Sequence, residues 1–283
     1  MSKQWNFDTF SMITVSIVTY KTNIEELRRC LNSLSSNLVK KIYIVDNSRQ
    51  SYIEDFCKSY ERVVYIGNPN VGYGSGHNIA IRKAQKMNMK YHLVLNSDVY
   101  FEEKILSRLI EYMNNNEDVA QVQPNIVYPD GSLQYGCRLL PKPINLISRR
   151  FLFHSFTEKL NREFMLYDFD HKEPMNIPYH QGSFMLFRME CFKKVGLFDE
   201  RFFMYPEDID ITRRMHRFYR TMFWPEVTIV HAHRAASYKS LRMLAVHSWN
   251  MMKYFNKWGW FNDKERDEWN EDVINSINAK NKK

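Results

Sequence analysis

The stretch MITVSIVTY (12–20) opens a pattern that continues through KIYIVD (41–46) and RVVYIG (62–67) to YHLVLNSD (91–98), and this pattern decides the fold. Each run is short, β-branched and apolar, which is the composition of a buried strand. Between the first two, Leu27, Cys30, Leu31, Leu34 and Leu38 recur at helical spacing, and Thr22 or Asn23 can cap that helix with Glu25 or Glu26 closing a capping box. A short helix is expected near 51–59 and another over about 76–88, directly after a Gly-rich turn. Strand and helix therefore alternate. Alternation of this kind predicts an α/β fold with a mostly parallel sheet flanked by helices, whose ligands bind beyond the carboxyl ends of the strands.

The candidate site residues fall at those ends: Thr19 and Tyr20 after the first strand, Asp46 and Asn47 after the second, Asn68 to Asn78 after the third, and Asn96-Ser97-Asp98 after the fourth. Asp46 can accept from a base imide or a ribose hydroxyl; an Asp-Asn pair is also a common turn. NPNVGYGSGHN (68–78) places Gly72, Gly74 and Gly76 before the helix, where glycine lets backbone approach a ligand and helix N–H groups meet negative charge. Its GxGxG spacing matches neither the dinucleotide fingerprint nor the phosphate loop, which disfavours a dehydrogenase. Asp98 is either a carboxylate for Mg2+ or Mn2+ or a cap for the helix expected over 102–116.

Beyond residue 119 the expectations are a strand and a PDG turn, an irregular stretch over about 136–180, broken by Pro141, Pro143, Pro174 and Pro178 and read as a mobile or acceptor-specific insertion, a strand at 183–188, a helix over 207–219 and extended chain over 222–233. Glu207, Asp208 and Asp210 sit near the start of that helix, where its dipole favours carboxylates and where either of the first two can serve as a general base. His231 and His233 are two residues apart on extended chain and face one side, as metal ligands would.

At 283 residues with 44% apolar and 25% charged content, the chain is expected to be globular, and Cys30, Cys57, Cys137 and Cys191 have neither disulfide-framework nor zinc-finger spacing. The amino-terminal 22 residues lack the layout of a signal peptide, and no window offers about 20 uninterrupted apolar residues, so a cytoplasmic location is expected. A net charge of +8 favours anionic partners, but the basic residues are scattered, which argues against nucleic acid.

Taken in order, VSIVTY, IVDNS, NPNVGYGSGHN, LVLNSDV, GSFMLFR, GLFDERFFMYPEDIDITRR and VHAHRAAS resemble the inverting family-2 glycosyltransferases of the GT-A fold, over roughly residues 13–237. Within that family they most resemble bacterial rhamnosyltransferase-like enzymes of surface-polysaccharide assembly. The resemblance implies a catalytic domain over 1–238, with a nucleotide half at about 11–100 and an acceptor half at about 101–238, and a helical extension over 239–283. It implies that Thr19, Tyr20, Asp46, Asn47, Asn68, Gly72, Gly74, Asn78 and Asn96 line a UDP- or dTDP-sugar, that Asp98 and His231 hold Mg2+ or Mn2+, and that Asp208, with Glu207 as its rival, deprotonates a glycan or lipid-linked acceptor. Asn96-Ser97-Asp98 departs from the family's frequent DxD, so only the last carboxylate matches. The aromatic and basic 239–260 segment is read as a helix that packs on the sheet or a second subunit, or rests on the inner face of an anionic membrane.

Overall fold

The computed structural model describes residues 12–145, 154–232 and 241–280. Strands β1 (Ile13–Thr19), β2 (Val39–Asp46), β3 (Val63–Gly67) and β4 (Tyr91–Leu95) are the four expected from the opening pattern, and they lie parallel in the order β3-β2-β1-β4. Helices α1 (Ile24–Asn32), α2 (Ser51–Cys57) and α3 (Tyr73–Lys86) cross between them. Asn23 is the cap of α1, accepting from the N–H groups of Glu25 and Glu26. Register aligns Thr19 with Asp46 and Asp46 with Gly67, so three strand ends meet at one edge.

Beyond β4 the sheet continues as β5 (Val99–Tyr100), β6 (Val119–Val127), β10 (Phe184–Arg188) and β11 (Arg220–His231), in the overall order β3-β2-β1-β4-β10-β6-β11-β5. Strand β10 runs antiparallel between β4 and β6, pairing Phe184 with Leu95. That reversal brings the start of β10 to the carboxyl end of β4. Strand β11 is parallel to β6 and antiparallel to β5, pairing His231 with Val99. Helix α4 (Lys104–Asn115) precedes β6, and α7 (Pro206–His216) precedes β11.

The sheet is covered on both faces. Ile13, Val15, Ile17, Leu93 and Leu95 pack with Leu27, Leu31, Ile53, Leu106 and Leu109 of the helices on one side. Intervening residues turn to the other side, where Val94, Met185 and Phe187 meet Ile81 and Ala84 of α3 and Ile211 and Met215 of α7.

Three expectations are corrected. Helix α3 begins at Tyr73, three residues early, so Gly74 and Gly76 lie inside it and Gly72 is its cap at φ 115°. The packing explains this: a Cβ on Gly74 would sit 3.0 Å from Phe198 Cβ, and one on Gly76 would sit 2.8 Å from a methyl of Val18. Asp98 does not cap α4, whose capping position is Glu103. Among the described residues, the 136–180 stretch is not an irregular insertion. It forms a two-stranded ribbon of β7 (Cys137–Arg138) and β9 (Tyr179–His180), helix α5 (His154–Phe164), and β8 (Met175–Asn176), which pairs with β11.

Cys137, Leu139, Leu140, Phe169 and Ile177 of that stretch build a second core with Ile209, with Met251, Tyr254 and Phe255 of α8 (Leu241–Trp258), and with Val273 and Ile277 of α9 (Lys264–Lys280). Prolines broke the periodicity, but the apolar residues between them are buried by these carboxyl-terminal helices. Asn270 closes the join, its side chain donating to Leu140 O and accepting from Leu140 N. The buried Arg213–Asp263 pair of α7 and the α8–α9 connection does the same on the other side. Such a pair is costly to break, because the survivor is a desolvated charge.

Candidate active site

Glu207 and Asp208 stand at the first turn of α7, where Pro206 occupies the first helical position and leaves no amide to satisfy. Tyr205, just before it, adopts φ 94° and ψ −69°, a conformation rare outside glycine. Surrounding contacts hold it there: its ring meets His247 edge-on, and Asn250 donates to Met204 O. Lys253 donates to Arg201 O, and Lys257 bridges Asp199 and the fully buried Asp210. Helix α8 thus clamps the loop that aims α7. Backbone strain held by so many contacts is typical of a functional site.

Asp208 accepts from Gly182 N–H at 2.9 Å and from Ile209 N–H at 2.8 Å. Burial pushes its carboxyl up to about 7, with those two donors and the charge of Arg138 opposing the rise. Glu207 is raised well above the ordinary range, first by burial and then by the charge of Asp208, and its Oε2 is buried without a hydrogen-bond partner. Two adjacent desolvated carboxyls cannot both ionise cheaply, so the pair keeps a proton. The amide donors favour charge on Asp208. Gly182 is needed for this approach, since a Cβ there would stand 3.2 Å from Asp208 Cβ.

Asp98 and His231 converge from different strands. His231 Nε2 is 3.3 Å from Asp98 Oδ1 and 3.5 Å from Asn96 Nδ2, and Ala232 N–H donates to Asp98 O. On the far side of the ring, Nδ1 is 2.6 Å from Gln134 Oε1 and 3.2 Å from Gln181 Nε2, which hold the imidazole with Nε2 facing Asp98. A nitrogen and a carboxylate oxygen facing each other suit a divalent cation. Among the described residues, however, no group of three or more His, Cys, Asp or Glu side chains gathers as a metal cage. His233 lies outside the described residues.

At the carboxyl ends of β1 and β2, Tyr20 is 53% exposed, whereas Asp46 is fully buried. The Asp46 carboxylate accepts from Thr19 Oγ1, Ser48 N and Oγ, Gln50 N and Tyr65 Oη. Asn68 donates to Asn47, which donates on to Gly72 O. Asn78 points away from the crevice: its amide donates to Phe198 O and Glu200 and accepts from Phe198 N, fastening the loop that leads to α7. Gly72 approaches the protein itself, as a Cβ there would meet Phe203 O at 2.6 Å. Gly182 was visible in the sequence only as part of GSFMLFR, and Tyr73, Gln134 and Gln181 gave no signal of a role; adjacency through the sheet is what recruits them.

Residues 14–196 match Glycosyl transferase family 2. The low-salt glycan biosynthesis hexosyltransferase Agl10 of Haloferax volcanii is 26% identical over 210 residues, 72% of this chain and 62% of that protein. The N-acetylglucosaminyl-diphospho-decaprenol L-rhamnosyltransferase of Mycobacterium tuberculosis is 28% identical over 244 residues, 80% of this chain and 77% of that one. Among solved structures, GalNAc-T7 with UDP, GalNAc and Mn2+ superposes with a TM-score of 0.59 at 16% identity, over 79% of this chain and 43% of that one, a likeness of fold. The chain thus spans less than two thirds of Agl10 and less than half of GalNAc-T7. With a family match across most of its length, and a sheet whose strand ends gather carboxylates from both halves, the chain belongs to glycosyl transferase family 2 and has the GT-A fold.

Proposed function

We propose that this protein transfers a sugar, rhamnose being the leading choice, from a UDP- or dTDP-sugar to a hydroxyl of a glycan or lipid-linked acceptor, with inversion, in polysaccharide synthesis. The observation that carries this reading is the Asp208 carboxylate, buried, held by two backbone N–H groups, and raised to about 7. A base of that strength is half ionised near neutral pH and can take a proton from an alcohol as the hydroxyl attacks the anomeric carbon. The bond to the departing diphosphate breaks in the same displacement. Glu207, kept protonated, leaves the pair with one negative charge; in the rival assignment the two carboxyls exchange these roles.

Asp98 and His231 would hold Mg2+ or Mn2+, the remaining ligands coming from the diphosphate. When bound, the ion offsets the negative charge that develops on the leaving group. GalNAc-T7, solved with UDP and Mn2+, supports a divalent ion on this fold. In this reading Thr19, Tyr20, Asp46 and Asn47 border the nucleoside, and Asn68, Gly72, Gly74 and Asn96 border the rest of the donor, with Asn78 bracing α3 from behind. We call residues 68–74 the donor loop.

A lipid-linked acceptor, suggested by the name of the mycobacterial relative, fits a second observation. Trp249, Met252, Trp260 and Phe261 are exposed on or just beyond α8, beside Lys253. None of the described helices is long and apolar enough to cross a membrane. We therefore place this stripe against an anionic surface and not across it. Flotation with anionic liposomes at low salt tests that placement, and a protein that stays at the bottom of the gradient rejects it.

The donor is tested by a thermal-shift panel of UDP-glucose, UDP-galactose, UDP-N-acetylglucosamine, dTDP-rhamnose and GDP-mannose with and without Mn2+. A ligand at 100 times its Kd stabilises by about 2.7 kcal/mol, which a melting curve resolves. A response to none of them, or to the guanosine donor alone, overturns the proposal.

A further inference from the structure

Tyr73 lies in the donor loop and reaches from it to two other parts of the site. It opens α3 behind Gly72, and its backbone N–H donates to Phe203 O at 2.9 Å on the strained loop that aims α7. Its phenol reaches the other way, 2.7 Å from Asn96 Oδ1 and 2.9 Å from Gly182 O. Asn96 belongs to the turn that carries Asp98, and Gly182 is the residue whose N–H holds Asp208. One side chain therefore links donor loop, metal-side turn and base.

The phenol is also held in place from beneath. Its ring meets His77 edge-on with centroids 4.3 Å apart. His77 Nδ1 is 2.6 Å from Ser16 Oγ, which is 2.8 Å from His92 Nε2, and His92 Nδ1 is 2.8 Å from Thr14 Oγ1. This chain of buried polar groups roots Tyr73 in β1 and β4, so its hydroxyl cannot drift without disturbing the sheet. Burial, reinforced by the charges of Glu207, Asp208 and Asp98, keeps the phenol protonated. It is a donor of hydrogen bonds, not an acid or base of the reaction.

We propose that Tyr73 is a positioning residue that couples the seating of the donor loop to the alignment of the Asp208 carboxylate, through Gly182. The proposal rests on the reading of Asp208 as the base. Tyr73 Oη fixes the carbonyl of Gly182, on the peptide next to the one whose N–H meets Asp208, so the donor loop, the Gly182 turn and the Asp208 carboxylate are held in one arrangement that points the carboxylate at the acceptor.

The test is Tyr73→Phe in the full chain, which keeps the ring and its contact with His77 and removes one oxygen. The first readout needs no substrate: hydrogen exchange at the Gly182 amide should quicken by about fivefold to tenfold while the melting temperature stays within a few degrees. The second is kinetic, with the donor that gives the largest thermal shift in wild type. We expect kcat to fall by about tenfold or more with donor Kd within about twofold. The acid limb of kcat/KM should also move to higher pH, because a loosened Gly182 N–H no longer opposes the rise of the Asp208 pKa. Incorporation of 3-fluorotyrosine at position 73, a stronger donor of nearly the same size, should slow exchange at Gly182 and serves if Tyr73→Phe does not fold. Unchanged Gly182 exchange overturns the coupling. Weakened donor binding with kcat intact also overturns it, by making Tyr73 a donor-binding residue. If wild type turns over none of the donors, the function reading fails, and the exchange result still decides whether Tyr73 controls Gly182.

Discussion

Replacing Asp208 by Asn separates two consequences of one burial. The carboxyl is pushed up to about 7 from 3.8. A rise of that size means that ionising it in the fold costs about 4 kcal/mol above pH 7, at about 1.4 kcal/mol per pH unit. The folded state binds this proton more tightly than the unfolded chain does. Its stabilising effect is therefore full below about pH 4 and is lost as pH rises through 7. Asn carries no charge to desolvate, but it replaces one of the two acceptor oxygens that face Gly182 and Ile209, at a cost of about 1 kcal/mol. Asp208→Asn should accordingly be more stable than wild type at pH 8 by roughly 3 kcal/mol, a rise of about 6 °C in melting temperature. By pH 5 most of that gain should have gone. Turnover should drop about 100-fold or more with donor affinity little changed, because a general base acts in the transition state. Differential scanning fluorimetry at the two pH values, beside initial rates of nucleoside diphosphate release, reads both effects. A variant that is destabilised equally at both pH values refutes the burial argument, and near-normal turnover refutes the assignment of the base. If Glu207→Gln is the inactive variant instead, the two roles are exchanged.

Asp98→Ala should abolish divalent-dependent turnover while leaving the melt within about 0.5 kcal/mol of wild type, since a turn residue contributes little to the core; full activity at limiting Mn2+ would remove Asp98 from the site. Asp46→Ala orphans five donors, so it should cost both stability, by about 2 to 4 kcal/mol, and donor affinity, by about 1 to 3 kcal/mol. Loss of stability with an unchanged donor Kd, measured by calorimetry, would make it a turn residue alone. Burial lowers His92 and His180 to about 3 and His216 to about 4. Unfolding lets each of them bind a proton below about pH 6.5, so each should forfeit about 2 kcal/mol of stability between pH 7 and 5. Urea midpoints should fall over that window, more steeply in Asp208→Asn where the opposing carboxyl is gone, and a flat profile would contradict it.

The sequence by itself determined the four-strand parallel half of the sheet, β1 to β4. Four β-branched runs separated by helical periodicity can be buried only as parallel strands with helices on both faces, and that architecture puts Thr19, Asp46, Asn68 and Asp98 at one edge without further information. It also placed Glu207 and Asp208 at a helix start, where the dipole favours carboxylates. Local signals were misleading where packing overrides them. Gly74 and Gly76 looked like a loop before a helix, but they are small because Phe198 and Val18 press on the helix they belong to. Prolines made 136–180 look irregular, although its apolar residues are completed by α8 and α9 more than 70 positions away.

Only the tertiary structure decided how the two halves meet. The antiparallel insertion of β10 carries Gly182 to Asn96, and the pairing of β11 with β5 carries His231 to Asp98. Neither approach has a sequence signature, because cross-strand adjacency depends on strand order and register, which no local spacing encodes. The preference for Asp208 over Glu207 came from the resemblance alone, and the fold adds a physical difference between the two. Asp208 receives the N–H of Gly182, 26 residues earlier in the chain, while Glu207 Oε2 has no partner, and that difference is a property of the folded chain alone.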